Sequence, residues 1–340
     1  MFLTFLLDVK RMLPLEVALT FGVVLFALSW LRPRRLVSLP RTEYRARVLL
    51  VVGTAGAALI VLTASLMSAA AAFTYDASGY DGWWRRPAPL AVAVLIVLGA
   101  GVALARVPLP APGDRALVPR QRWRAFLSPA LLWVTGATTV LIAVTALWHT
   151  VIAVSAPRDA SFFGQVPEYT SLPIFMNFNS GLGYVAGAGW PNHLATLIAL
   201  PVAFVVLFAV LRADANRPLA RSAAGTGGAR ADREATARIL GLVLLAGLLA
   251  TLGAVWMHVG AVGGSAVGLD DQWVTEDMSI PRLMIYGGYN EIARPLNLTG
   301  YVVQGAGVAL ALRLIVDMVR AAFAAGRTQA ATPSTVETVR

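Results

Sequence analysis

ALWHTVIAVSAPRDASFFGQVPEYTSLPIFMNF (Ala146–Phe178) and AVWMHVGAVGGSAVGLDDQWVTEDMSIPRLMIY (Ala254–Tyr286) align without a gap at an offset of 108 residues. Trp148/Trp256, Ala153/Ala261, Val154/Val262, Glu168/Glu276, Ser171/Ser279, Pro173/Pro281 and Met176/Met284 are identical pairs. Both copies leave an apolar stretch, cross a polar loop and reach Ser-(Leu/Ile)-Pro-x-x-Met; Pro191 and Pro295 then introduce the next apolar stretch. A fixed period of this kind marks an internally repeated architecture. The unit is helix, long outer loop, helix. It covers 127–211 and 239–318, and Gly82-Trp83, which echoes Gly189-Trp190, makes 48–105 a candidate diverged third copy.

The apolar stretches are long enough to cross a bilayer. Hydrophobic residues make up 57% of the chain and charged residues 14%, against about 25% charged in a typical soluble domain. Apolar runs lie at 13–31, 48–73, 89–105, 127–148, 194–211, 239–258 and 298–318. Each approaches the roughly 20 residues that span the hydrocarbon core, where only a helix satisfies its own backbone. An all-α polytopic membrane protein with seven transmembrane helices follows. Residues 1–320 form one transmembrane domain and 321–340 a disordered cytoplasmic tail.

Charge assigns the sides. The segments 32–47, 106–126, 212–238 and 313–340 carry 21 of the 28 basic residues, and the opposite face carries seven. By the positive-inside rule the N-terminus is extracytoplasmic and the C-terminus cytoplasmic. The same rule accounts for the net charge of +10 without nucleic acid as a partner. Lys10 stands alone against 27 arginines, the usage of a GC-rich bacterial genome, so the expected location is a bacterial plasma membrane. Met1–Leu7 is apolar and precedes Asp8, Lys10 and Arg11, the reverse of a signal peptide's order. Val107–Pro119 is proline-rich and Ser222–Asp232 small and polar, so both read as flexible connectors.

The outer loops, Ser155–His193 and Val259–Asn297, are longer and hold aromatic and apolar residues. Loops of that length are commonly functional or carry structure of their own. Ser-x-Pro at Ser171–Met176 and Ser279–Met284 predicts a short surface helix in each. Trp83 and Trp84 fit an interfacial aromatic belt.

Absent motifs narrow the chemistry. Without cysteine there is no disulfide, thiolate metal site or iron–sulfur cluster. The chain has no GxxxxGK[ST] and no HExxH. Lys10, the only lysine, lies outside the last helix, where a retinal protein needs one. What remains is a set of outer-face candidates. His149 ends the fourth span, His193 opens the fifth and His258 ends the sixth, and Glu168 and Glu276 are the acidic residues shared by both copies. Neutral imidazole is the commonest metal ligand, and nitrogen donors favour zinc or copper; a haem is the other cofactor such residues could hold. The bland reading is that histidine, like tryptophan, tolerates a half-wet interface. One feature counts against convergence: His149 and His258 are one residue out of register in the repeat, which turns them about 100° apart.

These features fit a non-enzymatic membrane component. Besides the lipid bilayer, its repeated outer loops are expected to meet a partner subunit, an envelope ligand or a lipid. The alternatives are a metal- or haem-binding redox or assembly factor, and a membrane-embedded enzyme of the outer leaflet.

Overall fold

The computed structural model describes residues 17–31, 35–73, 83–115, 123–153, 175–177, 184–219, 225–264, 266–268, 284–286 and 288–330. Among them the helices are α1 (Val17–Leu28), α2 (Glu43–Val51), α3 (Ala57–Phe73), α4 (Ala88–Ala105), α5 (Pro129–Val151), α6 (Trp190–Asn216), α7 (Gly225–Gly263) and α8 (Asn290–Ala330). A π-helical turn over Val52–Gly56 joins α2 to α3 into one continuous rod. That rod and α4 to α8 give six helices apolar and long enough to cross a membrane, so the chain is a multi-pass membrane protein. The remaining predicted span, 13–31, corresponds to α1, whose 12 described residues cover roughly 18 Å at 1.5 Å per residue.

Helix α7 is the axis of the bundle. From Ile239 to Leu252 nearly every residue is buried, whichever way it faces, as expected of a helix that is apolar all round. The rod, α4, α5, α6 and α8 surround it. The outer helices turn apolar side chains away from the protein: Leu95 on α4, Trp133, Val140 and Val144 on α5, and Phe204 and Val205 on α6 are all exposed. In lipid that exposure costs nothing.

Small residues bring α7 and α8 together. A Cβ added at Gly260 would lie 2.4 Å from the Asn297 nitrogen, and one at Gly253 2.5 Å from that of Gln304. Backbones approach this closely only where side chains are absent, which is how membrane helices maximise van der Waals contact. Gly241, Gly247, Gly305 and Gly307 also sit at tight helix contacts, whereas Gly136 faces open space.

A polar network closes the arginine-rich end. Arg45 pairs with Asp214 at 2.5 Å and bonds Thr236 Oγ1 at 2.9 Å, all buried. Asp232 accepts from the Arg41 amide (2.9 Å) and the Thr42 hydroxyl (3.0 Å). Arg313 and Asp317, four apart on α8, pair at 3.4 Å, and Asp317 also accepts from the Leu36 amide at 2.8 Å.

This packing alters two expectations. Ser222–Asp232 is not a loose connector along its length, because α7 begins at Gly225 and buries Asp232 and Arg233. Their bonds to the α2 segment and, from Arg233, to the Arg217 carbonyl outweigh a glycine-rich composition. At the other terminus α8 runs on to Ala330, taking in 321–330 of the expected disordered tail; 331–340 lie outside the described residues.

The described residues at the ends of the expected short helices lie in strands instead. Phe175–Asn177 (β1) pairs antiparallel with Tyr184–Ala186 (β2), and Ala266–Gly268 (β3) with Met284–Tyr286 (β4). Met176 and Met284, matched in the repeat, therefore both lie in strands, as aromatic and β-branched neighbours favour. The rest of the expected short helices, 171–174 and 279–283, lies outside the described residues. The matched strands pair differently, β1 with the segment after it and β4 with the segment before it. The helices that follow also start differently: Pro191 lies in the first turn of α6, whereas Pro295 lies inside α8. Pro173 and Pro281 lie outside the described residues.

Candidate metal centre

Three helix ends meet opposite the arginine-rich end. Helix α5 starts at Pro129 with the Ser128 hydroxyl accepting from the Leu131 amide at 3.2 Å, and it places His149 in its last turn. Gly189, at φ 99°, turns the chain into α6, and Pro191 sets the first turn that carries His193. His258 lies near the end of α7.

The three imidazoles converge. One ring nitrogen from each of His149, His193 and His258 lies within 4.8 Å of the other two. His149 Nδ1 and His193 Nε2 are 2.8 Å apart, and the ring centroids are separated by 5.1, 5.8 and 6.0 Å. His149 and His193 are fully buried and His258 partly so. Side chains that merely tolerate a wet interface would not be enclosed in this way.

Hydrogen bonds assign the protons. Tyr289 donates its hydroxyl to the Val259 carbonyl at 3.0 Å, so towards His149 Nε2, also at 3.0 Å, the phenol oxygen acts as acceptor. His149 therefore carries its proton on Nε2, and its Nδ1 accepts from His193 Nε2–H. His258 donates Nε2–H to the Gly187 carbonyl at 2.8 Å, which leaves Nδ1 as its lone pair. Gly187 is needed there: its φ is 111°, and a Cβ would come within 3.3 Å of the His258 ring. Two buried polar atoms on one face of α6, His193 Nδ1 and Thr196 Oγ1, have no hydrogen-bond partner among the described residues.

A buried cation lies beside the triad. Arg86, just ahead of α4, bonds the carbonyl (3.0 Å) and side-chain oxygen (3.1 Å) of Asn192, which in turn donates to the Ala188 carbonyl at 3.1 Å. Burial, and then the neighbouring Arg85 charge, pull Arg86 down to about 9, so it stays cationic at neutral pH. Burial pushes the Tyr289 phenol above the ordinary tyrosine range, so it too keeps its proton.

Of the residues read from the sequence, His149, His193 and His258 come together, while Glu168 and Glu276 lie outside the described residues. Tyr289, Gly187, Asn192 and Arg86 were not anticipated. Asn192, adjacent to His193, was the one within reach of sequence reasoning; the others arrive from distant segments through the fold.

The donor set suits a single ion. A tetrahedral zinc bound at 2.0–2.1 Å holds its nitrogens roughly 3.3 Å apart, so the 2.8 Å pair would open slightly and the longer separations close. A haem fits poorly, because no porphyrin passes between imidazoles whose nitrogens touch at 2.8 Å. Ligating histidines also almost always donate their other N–H to a fixed acceptor, as His149 and His258 do here. No family model, curated protein or solved structure matches this chain.

Proposed function

We propose that the chain is a metal-binding integral protein of a bacterial plasma membrane, holding a zinc or copper ion between His149, His193 and His258. The observation that carries this reading is the convergence of three imidazole nitrogens within 4.8 Å, two of them from fully buried histidines. It supports metal binding more strongly than partner binding through the outer loops, which remains the alternative role. The proposed topology is seven spans, with α1 crossing together with the residues before it, and with the N-terminus outside and the C-terminus inside. The arginine bias supports that orientation and sets the triad at the extracytoplasmic end.

The protein's own contribution is to hold three neutral imidazoles in a water-poor pocket, two with their second nitrogens anchored. The ion would supply Lewis acidity as zinc, or electron transfer as copper. Elemental analysis of protein purified without chelator or added metal tests the reading, beside a His149→Ala/His258→Ala double variant. About one zinc or copper per wild-type chain, lost in the variant, is the expected result. A wild type without stoichiometric metal sinks it.

A further inference from the structure

The tyrosine beside the triad has a more specific part to play than filling space. Tyr289 packs against two neighbours: its ring meets Trp148 edge-on at a centroid distance of 4.9 Å, and Gly263 lies close against the same ring. A Cβ on Gly263 would come within 2.0 Å of the Tyr289 ring, so only glycine leaves room for it. Held there, the hydroxyl lies 3.0 Å from both the Val259 carbonyl and His149 Nε2. A carbonyl only accepts, so the single phenol proton goes to Val259. The oxygen then has only lone pairs to offer His149.

We infer that Tyr289 is a positioning residue that locks His149 in its Nε2–H tautomer, so that Nδ1 is the atom His149 offers the ion. This deepens the metal-binding reading and rests on it. The Gly187 carbonyl does the same for His258, which also keeps its proton on Nε2. Two of the three ligands are thus Nδ1 donors set before any ion arrives. His193 is the adjustable one: its Nε2–H occupies the His149 lone pair that the ion needs, and its Nδ1 has no partner among the described residues. The ion would enter as His193 releases His149 and turns a nitrogen lone pair towards it, an exchange of hydrogen bond for coordination bond with no change in protonation count.

The chain has three histidines, so ¹⁵N NMR of histidine-labelled, metal-free protein resolves every imidazole, with assignment by single His→Gln variants. His149 and His258 should both appear as Nε2–H tautomers. Tyr289→Phe should release His149 from that tautomer and weaken zinc binding about 10–100-fold, the usual cost of removing a partner of a ligating histidine, with stoichiometry unchanged. Gly263→Ala displaces the tyrosine ring without removing its hydroxyl and should produce the same losses, which covers the case of a Tyr289→Phe chain that does not fold. An Nδ1–H tautomer at wild-type His149, or unchanged zinc affinity in both variants, overturns the inference. If the wild type binds no zinc or copper at all, the metal reading falls, and the NMR result alone decides whether Tyr289 fixes the tautomer.

Discussion

His149 Nδ1 lies 2.8 Å from His193 Nε2, a direct hydrogen bond between two fully buried imidazoles that are 44 residues apart. Cutting it by His193→Ala strands the His149 acceptor in a dry pocket, which costs about 1–3 kcal/mol before any cavity term. A lower melting temperature for metal-free His193→Ala is the expected outcome. Its metal affinity should fall by at least the ~10–100-fold seen when a ligand's hydrogen-bond partner is lost, because here a ligand itself is lost. Wild-type melting in this variant would mean that the bond contributes nothing.

At the opposite end, Asp214→Asn leaves the Arg45 guanidinium buried without its 2.5 Å partner. Breaking one side of a buried pair costs about 3–5 kcal/mol. Adding Arg45→Met to Asp214→Asn should recover much of that loss, since the uncompensated charge is then gone. Denaturation in detergent micelles would show it, and additive losses in the double variant would argue that the pair is not coupled.

Glycine positions should divide by what lies opposite them. Gly260→Ala drives a methyl to 2.4 Å from the Asn297 backbone, whereas Gly136→Ala meets nothing within 4 Å. Overpacking costs about 1–3 kcal/mol and more where backbone must move. The first variant should therefore melt well below wild type, and the second at or slightly above it, because alanine favours helix. Equal melting of the two would contradict the close α7–α8 approach.

Orientation can be read with single cysteines, because the chain has none of its own. A membrane-impermeant maleimide on intact cells should label Asp277→Cys and spare Gly113→Cys, which sits in the loop after α4. Labelling with the opposite pattern would invert the proposed topology.

The membrane-spanning helices were legible in the sequence because bilayer thickness imposes a length and a composition on each apolar run, independently of its neighbours. Six of the seven runs stand as helices long enough to cross. The three histidines were legible as candidates for a simpler reason: each falls at the same end of its span, and helix ends on one side of a membrane are confined to one plane. Their meeting was not legible. The one-residue slip between His149 and His258 speaks against it, and only the relative rotation of α5 and α7 brings those rings to 5.8 Å. That rotation depends on long-range contacts, such as the Trp256 Nε1–H bond to Thr145 Oγ1 at 3.0 Å and the glycine faces between α7 and α8. The loop strands were not legible for the same reason: β1 and β4 answer to strands elsewhere in the chain. Period, hydropathy and charge act along the chain or across the bilayer, so the sequence alone determined which segments span and which residues share an end. Which side chains touch, which nitrogen of His149 holds the proton, and that Tyr289 reaches it depend on rotation about each helix axis, and tertiary packing decided those.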